Sequence, residues 1–208
     1  MPTIGLTGNF GMGKTTVLHL FRKLGAYTFN VDKFVHKILN KPETIKKIAR
    51  TLGDDILIRG PKLSINKGRV AKLIFNDSEK RKAVEKIIHP QVLKTIKTSR
   101  SNILKKSPSA LIIFEVPLLF EAGYENFFDK TVVAYCNKKT AIDRLIAKGF
   151  SRDEILKRMR AQLPITKKKK LADFVINNNG DISNTERQIR HILHKQKHDF
   201  TLKEIPRY

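Results

Sequence analysis

Gly8-Asn9-Phe10-Gly11-Met12-Gly13-Lys14-Thr15 fits the pattern G-x-x-x-x-G-K-[ST] at every defined position. Each residue type there has a physical task. Glycines let a loop come close enough for successive backbone N–H groups to face phosphate oxygens. A helix that starts at the end of such a loop adds the positive end of its dipole. Lys14 has the reach to contact β- and γ-phosphates, and the Thr15 hydroxyl suits a Mg²⁺ ligand. With glycine near 7% of ordinary usage, a chance match in one chain falls below about one in a hundred. The pattern therefore points to a bound nucleoside triphosphate, and it is silent on what receives a phosphate.

Two carboxylates, Asp32 and Glu115, and less informatively a third, Glu121, raise the question of what such chemistry needs besides the loop. Asp32 stands at the end of a strand-like segment, Tyr27–Val31. In an open parallel sheet, ligands gather at the carboxyl ends of the strands. A carboxylate there can take the proton of an attacking hydroxyl or hold Mg²⁺ through water. It can equally cap a following helix over Lys33–Leu39, and spacing alone leaves both readings open. Glu115 lies inside the apolar run ALIIFEV, where a charge is costly without a partner. A nearby Mg²⁺, reached through water, or a salt bridge to a helix would each explain it. Glu121 raises the same question. The single cysteine, Cys136, lies in the apolar run Lys130–Cys136 and reads as a buried, inert thiol.

These residues need strands and helices to position them. Thr3–Thr7 reads as a strand running into the glycine loop. From Gly13 the spacing turns helical, with Val17, Leu18, Leu20, Phe21 and Leu24 on one face and Gly25 as a stop. Tyr27–Val31 reads as a second strand. Pro42–Leu52, Glu79–Ile88 and Val92–Leu104 read as helices, the last two separated by Pro90. Ala110–Val116 and Lys130–Cys136 fit strands buried on both faces. Thr140–Lys148 reads as a helix, Phe174–Ile176 as a final strand and Ile182–Lys197 as a last amphipathic helix. His198–Tyr208 reads as a loosely held tail. Strands alternating with helices predict an α/β architecture on a parallel sheet.

The 208 residues suffice for a buried core without disulfides or a structural metal. A chain with one cysteine, and no basic stretch followed by a long apolar one at its start, is expected to be soluble and cytoplasmic with no membrane partner. The balance of 42 Lys+Arg against 19 Asp+Glu gives a net charge of +23, a field that draws polyanions. The basic residues are spread along the chain, with one dense run at Lys167–Lys170, and no nucleic-acid-binding module is recognisable. Nucleic acid is therefore not an expected partner.

Beyond the glycine loop, a series of motifs in order resembles the dephospho-CoA kinase family. IGLTGNFGMGKTT is similar to that family's IGLTG-x-x-x-SGKST opening, and Asn30-Val31-Asp32 to its D-A-D. His89-Pro90 matches its His-Pro pair, and Pro117-Leu118-Leu119-Phe120-Glu121 its PLLFE. Arg144-Leu145 resembles its R-L motif and Arg160-Ala161-Gln162 its R-x-Q. Ala172–Ile176 matches its A-D-x-V-I, and Asn178 with Gly180 its N-x-G. The match runs from Ile4 to about Gly180.

The resemblance implies a three-layer P-loop kinase fold with a five-stranded parallel sheet, a helical acceptor-binding region and a lid. Residues 1–208 would form one domain, with its core in 1–32, 107–144 and 171–198, the acceptor-binding region in 33–106 and the lid in 145–170. It implies ATP as co-substrate with Mg²⁺, dephospho-CoA as acceptor, phosphorylation of the acceptor's 3′-hydroxyl to give coenzyme A, and a monomer or small homo-oligomer. The alternatives are a P-loop kinase for another acceptor such as a nucleoside monophosphate and, ranked below it, a P-loop protein that binds nucleic acid. Asp32 and Lys14 would be catalytic. ATP would be held by Gly8, Gly11, Met12, Gly13, Lys14, Thr15, Thr16, Arg144 and Asn178. Asp32, His89, Pro117, Leu118 and Arg160 would face the acceptor. Arg152, Lys157, Arg158, Arg160 and Lys167–Lys170 would supply a flap that neutralises phosphate charge.

Four departures stand out. Asn30 replaces the first Asp of D-A-D, which removes a charge beside the metal. Lys148 stands where R-L-x-x-R would end in Arg, and so loses the guanidinium fork. Asn177 takes a position often held by Asp, and Lys67 stands near a family arginine in a substrate-facing segment.

Overall fold

The structure is a computed structural model that describes residues 3–58 and 60–201. In chain order its elements begin with β1 (Thr3–Thr7), α1 (Lys14–Lys23), β2 (Tyr27–Asn30), α2 (Val31–Leu39) and α3 (Pro42–Leu52). They continue with β3 (Leu57–Ile58), β4 (Ser64–Ile65), α4 (Lys67–Asn76), α5 (Ser78–Lys106) and β5 (Ile112–Glu115). Then follow β6 (Lys130–Tyr135), α6 (Lys138–Ile146), α7 (Arg152–Arg160), α8 (Ile165–Leu171), β7 (Phe174–Asn177) and α9 (Ile182–Thr201).

The chain divides into two compact units. The first takes the chain up to Asn30 and from Ile103 onward. Its centre is a five-stranded sheet in the order β2-β5-β1-β6-β7, with every neighbouring pair parallel. The apolar runs become strands because both sheet faces are covered. On one face, Val17, Leu20 and Phe21 of α1 pack with Ile189 and Ile192 of α9 against Ile4, Leu6, Ile113, Val132 and Ile176. Elsewhere the loop after β5 closes over β1. A Cβ on Gly5 would lie only 2.8 Å from Phe128 Cδ2, so this strand position admits no side chain. Phe114 stacks on Phe29, with ring centroids 5.0 Å apart, and this contact joins β5 to β2 within the layer. Phe114 is fully buried, which contributes about 1.5–3 kcal/mol.

The second unit spans Val31–Asn102. Its own core is built from Ile45, Ile48, Ala49 and Leu52 of α3 with Ile56, Ile65, Val70 and Val84. Pro42 opens α3, and Gly53 ends it at φ 103°, the punctuation the sequence offers. β3 and β4 form a short antiparallel pair that periodicity does not reveal, because each has two residues.

Several sequence expectations change. Pro90 does not separate two helices: α5 is continuous from Ser78 to Lys106 with Pro90 inside it. Buried Val84 on one side of the proline and Val92 and Ile96 on the other anchor both halves. The Gln91 side chain donates to the Ile87 carbonyl at 3.0 Å, adding a bond at the turn the ring disturbs. Val31 belongs to α2, not to the strand, so Asp32 is in the first helical turn and does not cap the helix. A carboxylate there is favoured by the helix dipole. α9 continues to Thr201, past the expected end at Lys197. Residues 202–208 of the expected tail lie outside the described residues. Among the described residues, no helix is long and apolar enough to cross a membrane.

Candidate active site

The glycine loop runs from the end of β1 to the start of α1. Gly11 and Gly13 take φ values of 81° and 83°, which side chains other than glycine rarely adopt. Among the described residues no side chain caps α1, and its first-turn N–H groups, which have no helical partner, suit a ligand. Lys14 Nζ donates to the Asn9 carbonyl at 3.2 Å and crosses the loop from inside.

A cleft of about 610 Å³ opens beside this loop. Gly11, Gly13, Lys14, Thr15, Thr16, Arg144 and Asn178 line it, which brings together seven of the nine ATP-binding residues expected from the sequence. Lys148 and Gly180 line it as well. Gly8 and Met12 stand behind the lining. A Cβ on Gly8 would run into the Ala134 carbonyl oxygen. The Met12 side chain packs with Cys136 and Ala141, and its N–H donates to the Asn9 carbonyl at 3.2 Å.

The apolar wall was not legible in the sequence. Phe10, Leu145, Phe150 and Ile182 line the cleft together with its basic groups. Phe10 and Phe150 meet edge to face, with centroids 5.3 Å apart. The Arg158 guanidinium lies 5.0 Å from one ring centre and 5.3 Å from the other while bonding Glu154 at 2.6 Å. An apolar slot beside three cations, Lys14, Arg144 and Lys148, is suited to a flat ring joined to phosphates. The sequence carried one signal for α7: Ser151 precedes Glu154 at capping-box spacing, and its hydroxyl accepts from the Glu154 N–H at 3.3 Å.

Asn178 is a junction. Its Nδ2 donates to the Met12 carbonyl at 3.1 Å, its Oδ1 accepts from Thr185 Oγ1 at 3.1 Å, and its carbonyl accepts from Arg144 at 3.1 Å. A Cβ on Gly13 would run into this amide. The loop, α6 and the β7–α9 turn are thereby fixed to one another.

Glu115 ends β5 beside Leu6 of β1 and Asn30 of β2. It is 4% exposed, and Asn30 Nδ2 donates to its Oε2 at 3.2 Å. Asn30 thus puts a neutral donor where the family motif has a second carboxylate. Glu121 has a different partner. Its Oε1 accepts from Lys168 Nζ at 2.8 Å and from the Leu163 N–H at 2.9 Å.

That contact takes Lys168 out of the basic run expected to neutralise phosphate charge. Lys168 is fully buried, and its Nζ also donates to the Pro117 carbonyl at 3.2 Å. Burial lowers its affinity for a proton, while Glu121 works to keep it charged. Lys169 lies 4.2 Å from the Tyr135 ring centre. Two of the four lysines are therefore engaged in packing.

Of the acceptor-side residues, Pro117 is held through its carbonyl by Thr7 Oγ1 at 3.1 Å and by Lys168. Leu118 is 49% exposed, and Arg160 ends α7 at the surface. Asp32 and His89 belong to the second unit, Asp32 exposed in α2 and His89 half-buried in α5 beside Pro90. Cys136 is buried, and burial pushes its thiol up although Arg144 opposes this. It is not a nucleophile candidate.

Comparison with known proteins points the same way as this geometry. The dephospho-CoA kinase family profile matches residues 2–184. The chain is 35% identical to the dephospho-CoA kinase of Aquifex aeolicus, across 96% of this chain and 100% of that one. It is 38% identical to the dephospho-CoA kinase of Carboxydothermus hydrogenoformans, across 95% of each. Among solved structures, TT1252 from Thermus thermophilus superposes with a TM-score of 0.80 at 31% identity, covering 93% of this chain and 96% of that one. The dephospho-CoA kinase from Campylobacter jejuni gives 0.66 at 28% identity, covering 95% and 98%. A glycine loop feeding an uncapped helix, a cleft that joins three cations to an apolar wall, and a profile covering most of the sequence lead to one assignment: the chain belongs to the dephospho-CoA kinase family.

Proposed function

We propose that this protein transfers the γ-phosphate of ATP to the 3′-hydroxyl of dephospho-CoA and so forms coenzyme A. The observation that carries the reading is the cleft at the glycine loop, where Lys14, Thr15, Arg144 and Asn178 meet, in a chain of this family. The first-turn N–H groups of α1 and the Lys14 ammonium hold the phosphates, and the Phe10–Phe150 side receives the base. The developing charge on the transferred group is met by positioned cations and N–H dipoles, so catalysis is mainly a matter of placement. Asp32 accepts the proton of the attacking hydroxyl. Its position supports the role: it lies two residues past the end of β2, in the first turn of α2, and is exposed. His89, Pro117, Leu118 and Arg160 are the acceptor-side residues on the strength of the family motifs they belong to. The lid lies within residues 145–170, with the Leu163–Lys168 stretch as its anchored base.

The residues present fit Mg²⁺. Among the described residues no three His, Cys, Asp or Glu side chains cluster as a metal cage, and Mg²⁺ bound with phosphates needs none, since it retains waters and takes one or two protein oxygens. Thr15 would hold it directly, and the buried Glu115 carboxylate would do so through water. When bound, the ion neutralises charge on the β- and γ-phosphates. A cytosolic location belongs to the same reading, in keeping with one buried, unpaired cysteine.

The test is coenzyme A production from Mg-ATP and dephospho-CoA by the purified protein, alongside Asp32→Asn. The expected result is turnover by the wild type and a loss of about 10²–10⁴-fold in kcat for the variant, with ATP affinity within about threefold. ATP binding without transfer to dephospho-CoA would overturn the acceptor assignment. Full activity of Asp32→Asn would remove Asp32 as the base.

A further inference from the structure

Outside the cleft, the back of the glycine loop is held by contacts that phosphate binding does not explain. The Phe10 N–H donates to Gln162 Oε1 at 2.8 Å. Asn9 Nδ2 donates to the Leu163 carbonyl at 3.1 Å. Both partners lie in the short link between α7 and α8, far along the chain from the loop. The link is itself anchored: the Leu163 N–H donates to Glu121 Oε1 at 2.9 Å, and the same oxygen takes Lys168 Nζ at 2.8 Å. Lys168 also reaches the Pro117 carbonyl, which Thr7 Oγ1 holds from the end of β1 at 3.1 Å. The chain of contacts thus leaves β1 at Thr7, passes through Pro117, Lys168, Glu121 and Leu163, and returns to the loop at Asn9 and Phe10.

We propose that Gln162 is a positioning residue for ATP, which sets the conformation of the glycine loop by accepting the Phe10 N–H without itself lining the cleft. A phosphate-binding loop works only if some N–H groups face the ligand and the others are satisfied elsewhere. Here Phe10 donates to Gln162 and Met12 donates to the Asn9 carbonyl at 3.2 Å. Two loop N–H groups are thereby directed away from the phosphates, and the first turn of α1 is left to them. The Phe10 peptide also carries the ring that lines the cleft against Phe150. Loss of the Gln162 acceptor therefore disturbs both the loop backbone and the wall meant for the base. Gln162 touches no reacting atom, so it acts through Phe10. Glu121 serves here as the brace for the link, which accounts for a charged residue in the Pro117–Glu121 motif without a metal.

This inference rests on the ATP reading of the cleft, and its test separates the two. Gln162→Met keeps the length of the side chain and removes the acceptor, whereas Gln162→Glu keeps an acceptor oxygen. Amide exchange at Phe10 is followed by NMR in ¹⁵N-labelled protein, with ATP affinity measured by calorimetry and KM for each substrate by turnover. In Gln162→Met, Phe10 exchange is expected to quicken about tenfold or more and ATP to bind about tenfold more weakly. KM for dephospho-CoA should stay within about twofold. Gln162→Glu should keep Phe10 exchange close to that of the wild type. Because it adds a charge near the phosphates, its exchange rate and not its KM is the readout. Circular dichroism confirms that each variant is folded. Unchanged Phe10 exchange in Gln162→Met overturns the proposal, as does an equal rise in KM for both substrates. If the acceptor is not dephospho-CoA, exchange and ATP affinity still decide the role of Gln162, and only the acceptor assignment falls.

Discussion

Replacing Lys168 by methionine tests whether the 163–168 segment is a latched part of the core or a loose flap. The wild-type ammonium is fully buried, 2.8 Å from Glu121 Oε1 and 3.2 Å from the Pro117 carbonyl. Two hydrogen bonds to a charged group represent about 3–6 kcal/mol. Against this, methionine is spared the cost of burying an ammonium, which is several kcal/mol, and it fills a similar volume, so cavity terms are small. Glu121 keeps the Leu163 N–H but loses its counter-charge, with its side chain only 18% exposed. The net expectation is destabilisation by about 2–3 kcal/mol for Lys168→Met. Glu121→Gln should cost a similar amount, because it leaves the cation buried alone. The double variant should fall short of the sum by at least about 1.5 kcal/mol, the mark of direct coupling. Urea unfolding followed by far-UV circular dichroism and by tyrosine fluorescence gives these values, provided the two transitions coincide.

The pH dependence has a definite sign. Burial holds the folded Lys168 below the ordinary lysine range. As pH rises toward that ordinary value, the folded protein releases this proton while the unfolded chain keeps it, and stability rises with pH wherever the unfolded state binds more protons. The stability gap between wild type and Lys168→Met should therefore widen from neutral pH toward about pH 10. Single variants within about 0.5 kcal/mol of wild type, or strictly additive effects, would falsify the view of this pair as a latch.

Three further outcomes follow from the geometry. Gly11→Ala places a Cβ 2.8 Å from the Ala141 carbonyl oxygen at a φ of 81°. It should weaken ATP binding by at least about tenfold while leaving the fold intact, a loss that calorimetry would detect. Asp173 accepts the Thr131 N–H at 2.8 Å and its hydroxyl at 2.9 Å, so Asp173→Ala should cost about 2 kcal/mol at neutral pH. Burial pushes the Asp173 carboxyl up, but Lys130 and Thr131 outweigh it and hold it below the usual range. Its contribution is therefore present above about pH 4 and lost as pH falls further, and thermal unfolding of wild type and variant should converge in acid. Asn30→Asp would set a second carboxylate against Glu115, where the amide now donates at 3.2 Å. It should lower stability by about 1–2 kcal/mol without Mg²⁺ and recover part of that in its presence; melting that ignores Mg²⁺ counts against a metal site there.

What the sequence made legible follows from the range of each signal. Short strand-like and apolar runs between helical stretches located all five strands of the large sheet, and the glycine loop located the cleft, because local geometry dictates residue type over a few consecutive positions. Contacts between distant segments leave no such trace. Phe10 and Phe150 are unremarkable aromatic positions until the fold sets their rings 5.3 Å apart. Pro90 gave a strong local signal that tertiary packing on both sides of α5 overrode. Asp32 lay within one residue of a boundary, and that residue decided between a cap and a first-turn carboxylate.

The lysine run shows why a count of charges is not a map of the field. The chain carries +23, and its densest basic stretch looked made for phosphate. Yet Lys168 is buried against Glu121 and Lys169 lies over Tyr135, so half of that stretch is engaged in holding the structure. The cations that do line the cleft, Lys14, Arg144 and Lys148, come from α1, α6 and the turn after α6. No two of them are neighbours in sequence. Catalysis by placement needs a few charges at fixed distances from a phosphate, and here the fold collects them one at a time from separate elements.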